Sequence, residues 1–142
     1  MQDLIQDTEK LDLIRAEYIS VFDQSKIQNP VYETEYGRER AMFKANELAD
    51  IAGFYNAFGF EIDANSTNRD MVDHVAVESE FYSILLMKLF PLTEMNDQNG
   101  CEIVLDAMKK FMQDHLGRFV TTIKERPGVQ DSEFYKMVYD WY

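Results

Sequence analysis

Cysteine is the scarcest chemistry in this 142-residue chain, which carries Cys101 alone. A single thiol excludes an internal disulfide and any thiolate zinc cluster. Cys101 also falls on an apolar helix face, where a thiol behaves as a small hydrophobe. Proline and glycine are sparse, at three and six residues, so long stretches run without a breaker. That suits helices better than a meander of short strands. Basic residues number 14 against 26 acidic ones, a net charge of −12. Nucleic-acid phosphates demand Lys and Arg patches, so this balance argues against a nucleic-acid partner; composition alone favours plain solubility, with a basic partner as the sharper alternative. No apolar run reaches the ~18 residues of a membrane span. The start, Met1-Gln2-Asp3-Leu4, has no basic region followed by an apolar one, so it does not read as a secretory signal, and the default compartment is the cytoplasm. No Gly-rich phosphate loop and no G-x-S-x-G is present.

Hydrophobic residues make up 46% of the chain and aromatics 13%, enough for a packed core in one domain spanning 1–142. Leu4, Leu11, Ile14, Tyr18, Val21 and Phe22 recur at helical spacing from about residue 2 to 22, and Asn29-Pro30 closes that segment. An irregular stretch, 31–37, leads to a second helix over about 38–58. Met42, Ala45, Leu48, Ala52, Tyr55 and Phe58 face inward there, and Gly59 is its stop. Residues 60–69 read as a polar loop. A third helix spans about 70–90 and ends against Pro91. The broadest apolar face follows, from Cys101 through Val104, Met108, Phe111, His115, Leu116 and Phe119 to Ile123. Pro127-Gly128 breaks it, and Asp131 or Ser132 caps a last helix carrying Phe134, Tyr135, Val138 and Trp141. The expectation is an all-α, antiparallel bundle of about five helices. The closing rings, Trp141-Tyr142, dock on the body or a partner, or mark a trimmed end.

Chemistry concentrates in Asp73-His74-Val75-Ala76-Val77-Glu78-Ser79-Glu80-Phe81-Tyr82. His74 and Glu78 stand four apart on one helix face. Glu78 also falls on the apolar stripe of Met71, Val75, Tyr82, Leu85 and Leu89, where an acid is rarely buried without a partner. It either pairs with a donor inside the fold or lines a groove that receives something. Residues 61–80 hold six acids against Arg69 alone. Asp70 and Asp73 suit the positive end of a helix dipole, but a solvated face does not account for Glu78. A di-metal bundle site needs a Glu on each of two helices and Glu-x-x-His on two others. Here position 112 is Met112, three residues before His115, and with two histidines the set cannot be assembled, so neither metal nor cofactor is expected. His115 reads as a satisfied core histidine, and nothing reads as an enzyme.

Asp73-His74 followed by Glu78, Glu80 and Phe81 resembles the D-H-x-x-x-E-x-E-F signature of the TorD/DmsD/NarJ family of redox-enzyme maturation chaperones. Glu17-Tyr18 with Phe22 resembles that family's E-Y-x-x-x-F helix, and Pro30-Val31-Tyr32-Glu33-Thr34-Glu35-Tyr36 its P-x-Y-E-S-x-Y segment. Phe111 with His115-Leu116, and Phe134-Tyr135, are similar to its F-x-x-x-H-L and F-Y helices. The four pieces stand in the family's order over about residues 11–139. The resemblance implies an all-helical, non-catalytic cytoplasmic chaperone. It would bind the N-terminal, twin-arginine-type signal of a molybdenum-containing oxidoreductase subunit until cofactor insertion, assembly and export proofreading are complete. Under that reading a peptide site is expected at Asp73, His74 and Glu78 with Tyr32 and Glu33 nearby, the alternative being a helix-start network that only stabilises the bundle. In that site Asp73 caps the third helix, His74 bonds a carboxylate, and Glu78 meets an arginine of the fold or the guest. The chain begins near the E-Y helix, without the family's first helices, so a homodimer could lend them. Two other readings stay open: a metal-binding helical bundle, and a structural adaptor subunit of a larger assembly.

Overall fold

A computed structural model describes residues 8–36, 40–61 and 71–141, with side chains given from 9 and 44 onward in the first two stretches. The described chain is all-α, as the sequence predicts. In order it runs α1 (Thr8–Tyr18), a π-turn (Ile19–Asp23), a 3-10 turn (Glu33–Glu35), α2 (Arg40–Ala57), α3 (Val75–Glu94) and α4 (Gln98–Phe111). A second π-turn (Met112–Leu116), α5 (Gly117–Lys124), α6 (Pro127–Gln130) and α7 (Glu133–Trp141) complete it. Among the described residues the only β pairing is an isolated antiparallel bridge, Tyr32 with His74. The chain divides into two compact units, residues 1–31 with 120–142, and residues 32–119.

In the unit of 1–31 and 120–142, the core is aromatic and β-branched. Phe22 meets Tyr135 edge-on at 5.1 Å between ring centres and Tyr18 at 5.2 Å, with Val120, Ile123, Val129 and Tyr139 also buried. Ser132 starts α7, its hydroxyl accepting from the Tyr135 N–H at 2.9 Å, so the expected serine cap is present. The break at Pro127-Gly128 is itself a helical turn, α6, because proline at the first position brings a preset φ and loses no needed N–H.

The unit of 32–119 is built on a hairpin. α3 and α4 are joined by three residues, Met95 to Asp97, with Asn96 at φ 53° and Asp97 capping α4 through Gly100 N–H at 2.9 Å. Their buried faces are Val77, Glu78, Phe81 and Leu85 on α3, and Val104, Ala107, Met108 and Phe111 on α4. Rings of Tyr55, Phe81 and Phe111 stack through centre distances of 4.7 Å and 4.9 Å, joining α2 to the hairpin. Edge and tilted ring pairs of this kind contribute about 1 kcal/mol each beyond their burial.

Two boundaries and one buried face differ from the sequence reading. α3 runs through Pro91 to Glu94 rather than ending before it. Proline removes one N–H and crowds the carbonyl four residues back. So near the helix end those losses are small, and Met95 N–H to Pro91 O at 3.0 Å closes the final turn. α3 starts at Val75, later than expected. On α2 the fully buried side chains are Ile51 and Tyr55, while Ala45 is exposed and Met42 lies outside the described side chains. Gly59, at φ 68°, follows α2 as its expected stop. The polar loop centred on Asn65 lies outside the described residues.

Candidate functional site

The second π-turn decides where the charged chemistry sits. One extra residue per turn between Met112 and Leu116 shifts the buried face from Val104, Met108 and Phe111 to His115, Leu116 and Phe119. Gly117 permits it, since a Cβ there would lie 2.5 Å from Met112 O. His115 is thereby turned inward, 3% exposed, against the rings of Phe54 and Phe111.

Both imidazole nitrogens of His115 face acids. Nδ1 is 3.0 Å from Glu33 Oε2, and Nε2 is 3.1 Å from Asp50 Oδ2. A neutral ring donates through one nitrogen only, so two carboxylates favour the doubly protonated cation. Burial pulls the His115 pKa down, but the bonds to Glu33 and Asp50 outweigh it and the net shift is upward. Glu33 Oε1 accepts a second charged bond from Arg118 Nη2 at 2.7 Å, and Arg118 also reaches Glu47 at 3.4 Å. The same Glu33 bond raises the Arg118 pKa. Glu33 is 4% exposed, and its two oxygens are spent on two cationic partners. A buried charge is tolerable only under such pairing.

The 3-10 turn that carries Glu33 is clamped to the start of α3. Glu33 N–H donates to Asp73 O at 2.9 Å, and Thr34 donates to Asp73 Oδ2 through its N–H at 3.2 Å and its hydroxyl at 2.5 Å. The Tyr32–His74 bridge adjoins this clamp, with the two rings 5.1 Å apart edge-on. Tyr55 donates to Val72 O at 2.7 Å. Its phenol is pushed above the ordinary range by burial and by Glu78, Asp73 and Glu33.

Glu78 is the exception among these acids. It is 0% exposed, and neither carboxyl oxygen has a hydrogen-bond partner among the described residues. Burial, then the nearby Glu33 and Asp73, push its pKa up to about 10, with Arg118 opposing weakly. Glu78 is therefore a neutral acid at physiological pH. Asp73 Oδ1 is likewise buried and has no partner among the described residues.

Tyr32, Glu33, Asp73, His74 and Glu78 thus fall in one unit, joined by the bridge, the clamp and the electrostatics of the three acids. The helix cap expected of Asp73 falls to its neighbour. His74 caps α3, its Nδ1 accepting from Ala76 N–H at 3.1 Å, whereas Asp73 holds the Thr34 turn. Asp73 takes the turn because Thr34 presents two donors to it. Glu78 meets no arginine among the described residues, because Arg118 is committed to Glu33 and Glu47. Asp50, Glu47 and Arg118 were not singled out from the sequence. Their signal was there: acids three apart on α2 (Glu47, Asp50) and basic residues three apart from the second π-turn into α5 (His115, Arg118) can pair across two helices. Among the described residues no three His, Cys, Asp or Glu side chains form a metal-binding group, and no helix is long and apolar enough to cross a membrane.

The family model described as nitrate reductase delta subunit matches residues 1–125. No curated protein and no solved structure matches the chain. The match runs from α1 through the clamp, the glutamates and His115, ending just beyond α5. The chain therefore belongs to the nitrate reductase delta subunit family, molybdoenzyme assembly chaperones of the TorD/DmsD/NarJ type and maturation factors rather than catalysts.

Proposed function

We propose that this protein is a cytoplasmic chaperone that binds the N-terminal, twin-arginine-type signal segment of a molybdenum-containing oxidoreductase catalytic subunit. It holds that subunit until its cofactor is inserted and it is ready for assembly or export. The observation that carries this reading is the exposed outer face of α3. Leu86, Met87 and Phe90 stand 50%, 72% and 67% exposed on the same helix whose other face holds Glu78. Large apolar side chains grouped on one helix mark an interaction surface, and a signal segment offers an apolar stretch to cover them. Its basic start suits a chain of net charge −12, which would steer and orient it.

In this reading the peptide's basic end meets the Tyr32, Glu33, Asp73, His74 and Glu78 cluster. Tyr32 is half-buried and covers the buried His74 ring edge-on. Parting their single bridge gives a guest guanidinium access to Glu78, whose unpartnered carboxyl would ionise against it. Glu33 and Asp73 hold that pair in place and keep the local potential negative.

The test is a tagged pull-down from anaerobically grown native cells, with an Asp73→Ala, Glu78→Ala double variant alongside. The expected result is one molybdoenzyme catalytic subunit, lost when its N-terminal segment is deleted and depleted with the double variant. A subunit that binds equally well without its N-terminus overturns the signal-segment reading. The single variant Glu78→Gln then separates site from scaffold. If melting temperature changes while peptide affinity survives, the cluster is scaffold alone.

A further inference from the structure

Ala76, Ser79, Ser83, Leu86 and Phe90 follow one another along α3 at steps of three and four, with Met87 beside Leu86. That spacing sets them in one stripe, on the side away from the buried Val77, Glu78, Phe81 and Leu85. Ser79 is half-buried and the other five are exposed. Size changes along the stripe, from small side chains at the helix start to large apolar ones toward its end. The serine hydroxyls are turned back onto the helix. Ser79 donates to Val75 O at 2.7 Å, and Ser83 to Ser79 O at 2.9 Å. The small half is therefore a low surface on which a bulky side chain can rest.

A stripe small at one end and bulky at the other complements itself when run antiparallel. A two-fold axis at Ser83 sets Ala76 against Phe90 of a second copy, and Ser79 against Met87 of that copy, twice over. Charge follows the same axis. Besides the buried, protonated Glu78, the only charged residues of 76–90 are Glu80 and Lys88, one of each sign. Both lie on the same flank of the stripe, and neither is in an ion pair among the described residues. Within one helix they stand about 12 Å apart along the axis, too far to meet. In a two-fold antiparallel pair like flanks adjoin, so Glu80 of each copy approaches Lys88 of the other. A net charge of −12 makes copies of this chain repel one another, and this face is locally balanced.

We propose that a second copy of this chain docks antiparallel on the outer face of α3, centred on Ser83, when no guest is bound. The contact is a single helix face about 21 Å long. That puts it at the small, transient end of interface sizes, below about 1,200 Å². The dimer is therefore reversible, and a competitor for the same side chains dissolves it. Leu86, Met87 and Phe90 are also the side chains that would cover a guest's apolar stretch, so dimer and guest exclude each other. This exclusion rests on the signal-segment reading, whereas the pairing rests on α3 alone. The second copy acts as a stand-in that shields an apolar face until a client takes its place.

The experiment follows the mass of the full chain in solution by light scattering, from micromolar to sub-millimolar concentration. The expected result is a rise from monomer toward dimer. Phe90→Glu changes a side chain that is 67% exposed, so it keeps its melting temperature while dimerising at least about tenfold more weakly. Disulfide formation in a Cys101→Ser background reads the register. Ser83→Cys links to itself, because a residue on the two-fold axis comes within the roughly 4–7 Å between Cα atoms that a disulfide spans. Ala76→Cys does not link to itself but links to Phe90→Cys when the two variants are mixed. A synthetic peptide of two arginines followed by a leucine- and alanine-rich run returns the dimer to monomer as it binds. A chain monomeric throughout, a dimer unchanged in Phe90→Glu, or Ala76→Cys linking to itself as fast as Ser83→Cys overturns the pairing. A dimer that takes up the peptide without dissociating overturns the exclusion. A dimer that forms in this register while the peptide binds neither form counts against the signal-segment reading and leaves the pairing upheld.

Discussion

Two glutamates buried in the same unit have opposite fates. Glu33, on the 3-10 turn, meets the His115 imidazole and the Arg118 guanidinium within 3.0 Å, so both its oxygens are bonded. Glu78, on α3, is buried more completely and meets neither, so it keeps its proton. The difference lies in what the opposite helix presents. The π-turn aims His115 and Arg118 at the 3-10 turn, and nothing equivalent reaches α3. Burial alone does not decide the state of a carboxyl; the nearest donors do. One acid fastens its turn to the second π-turn and to α5, and the other is a cost the fold carries. A perturbed, unused acid of that kind is where function is to be sought.

The sharpest way to break this contrast is His115→Leu. It leaves Glu33 buried with Arg118 alone, and removing one member of a buried pair costs about 3–5 kcal/mol. Urea unfolding should show that loss. A change under about 1 kcal/mol would mean that Arg118 alone suffices for Glu33.

Glu78→Met tests the other side, with the opposite sign. Removing an unpartnered buried carboxyl should stabilise the chain by about 1–2 kcal/mol at neutral pH. The pH dependence follows from the same proton. Glu78 holds it in the folded state up to about 10 but releases it near the ordinary carboxylate value when unfolded. The folded state therefore binds more protons between those values, and stability falls as pH rises through that window. His115 acts in the same direction. Its raised pKa gives stability that is full below the ordinary histidine value and lost as pH rises through the folded one. One such proton gives a slope of at most about 1.4 kcal/mol per pH unit. Denaturant midpoints taken from pH 6 to 9 should decline in the parent chain and decline less in Glu78→Met. Parallel curves would show that Glu78 is ionised after all.

The smallest expected effect sharpens the comparison with a third acid. Thr34→Val keeps the shape but removes the hydroxyl from Asp73, leaving that carboxylate the Thr34 N–H. The loss should be about 1 kcal/mol in thermal unfolding, smaller than either glutamate effect and with the sign of the Glu33 case.

Much of this was legible in the sequence. The helical periods, the serine cap and Gly59 as a stop are local signals. Glu78 on an apolar stripe was visible as an anomaly, and His115 as a core histidine. Less visible were events that depend on one residue more or less, or on partners far along the chain. The π-turn leaves the broad apolar run intact while rotating half of it. Asp50 is 65 residues from His115, and Glu33 is 85 from Arg118. No spacing rule reaches that far. Pro91 misled because its effect depends on how much helix follows it.

Met112 to Leu116 has a consequence for how this helix can change in evolution. Each residue in a helix turns the chain by about 100°, so one residue inserted there acts as a frameshift in space. Upstream and downstream halves read out different stripes from one continuous rod. Deleting one residue, for instance Gln113, would restore an even winding and swing His115 and Arg118 away from Glu33 together. A single codon thus separates a chain with an ionic lock from one without, and Gly117 is the residue whose smallness keeps the extra one in place.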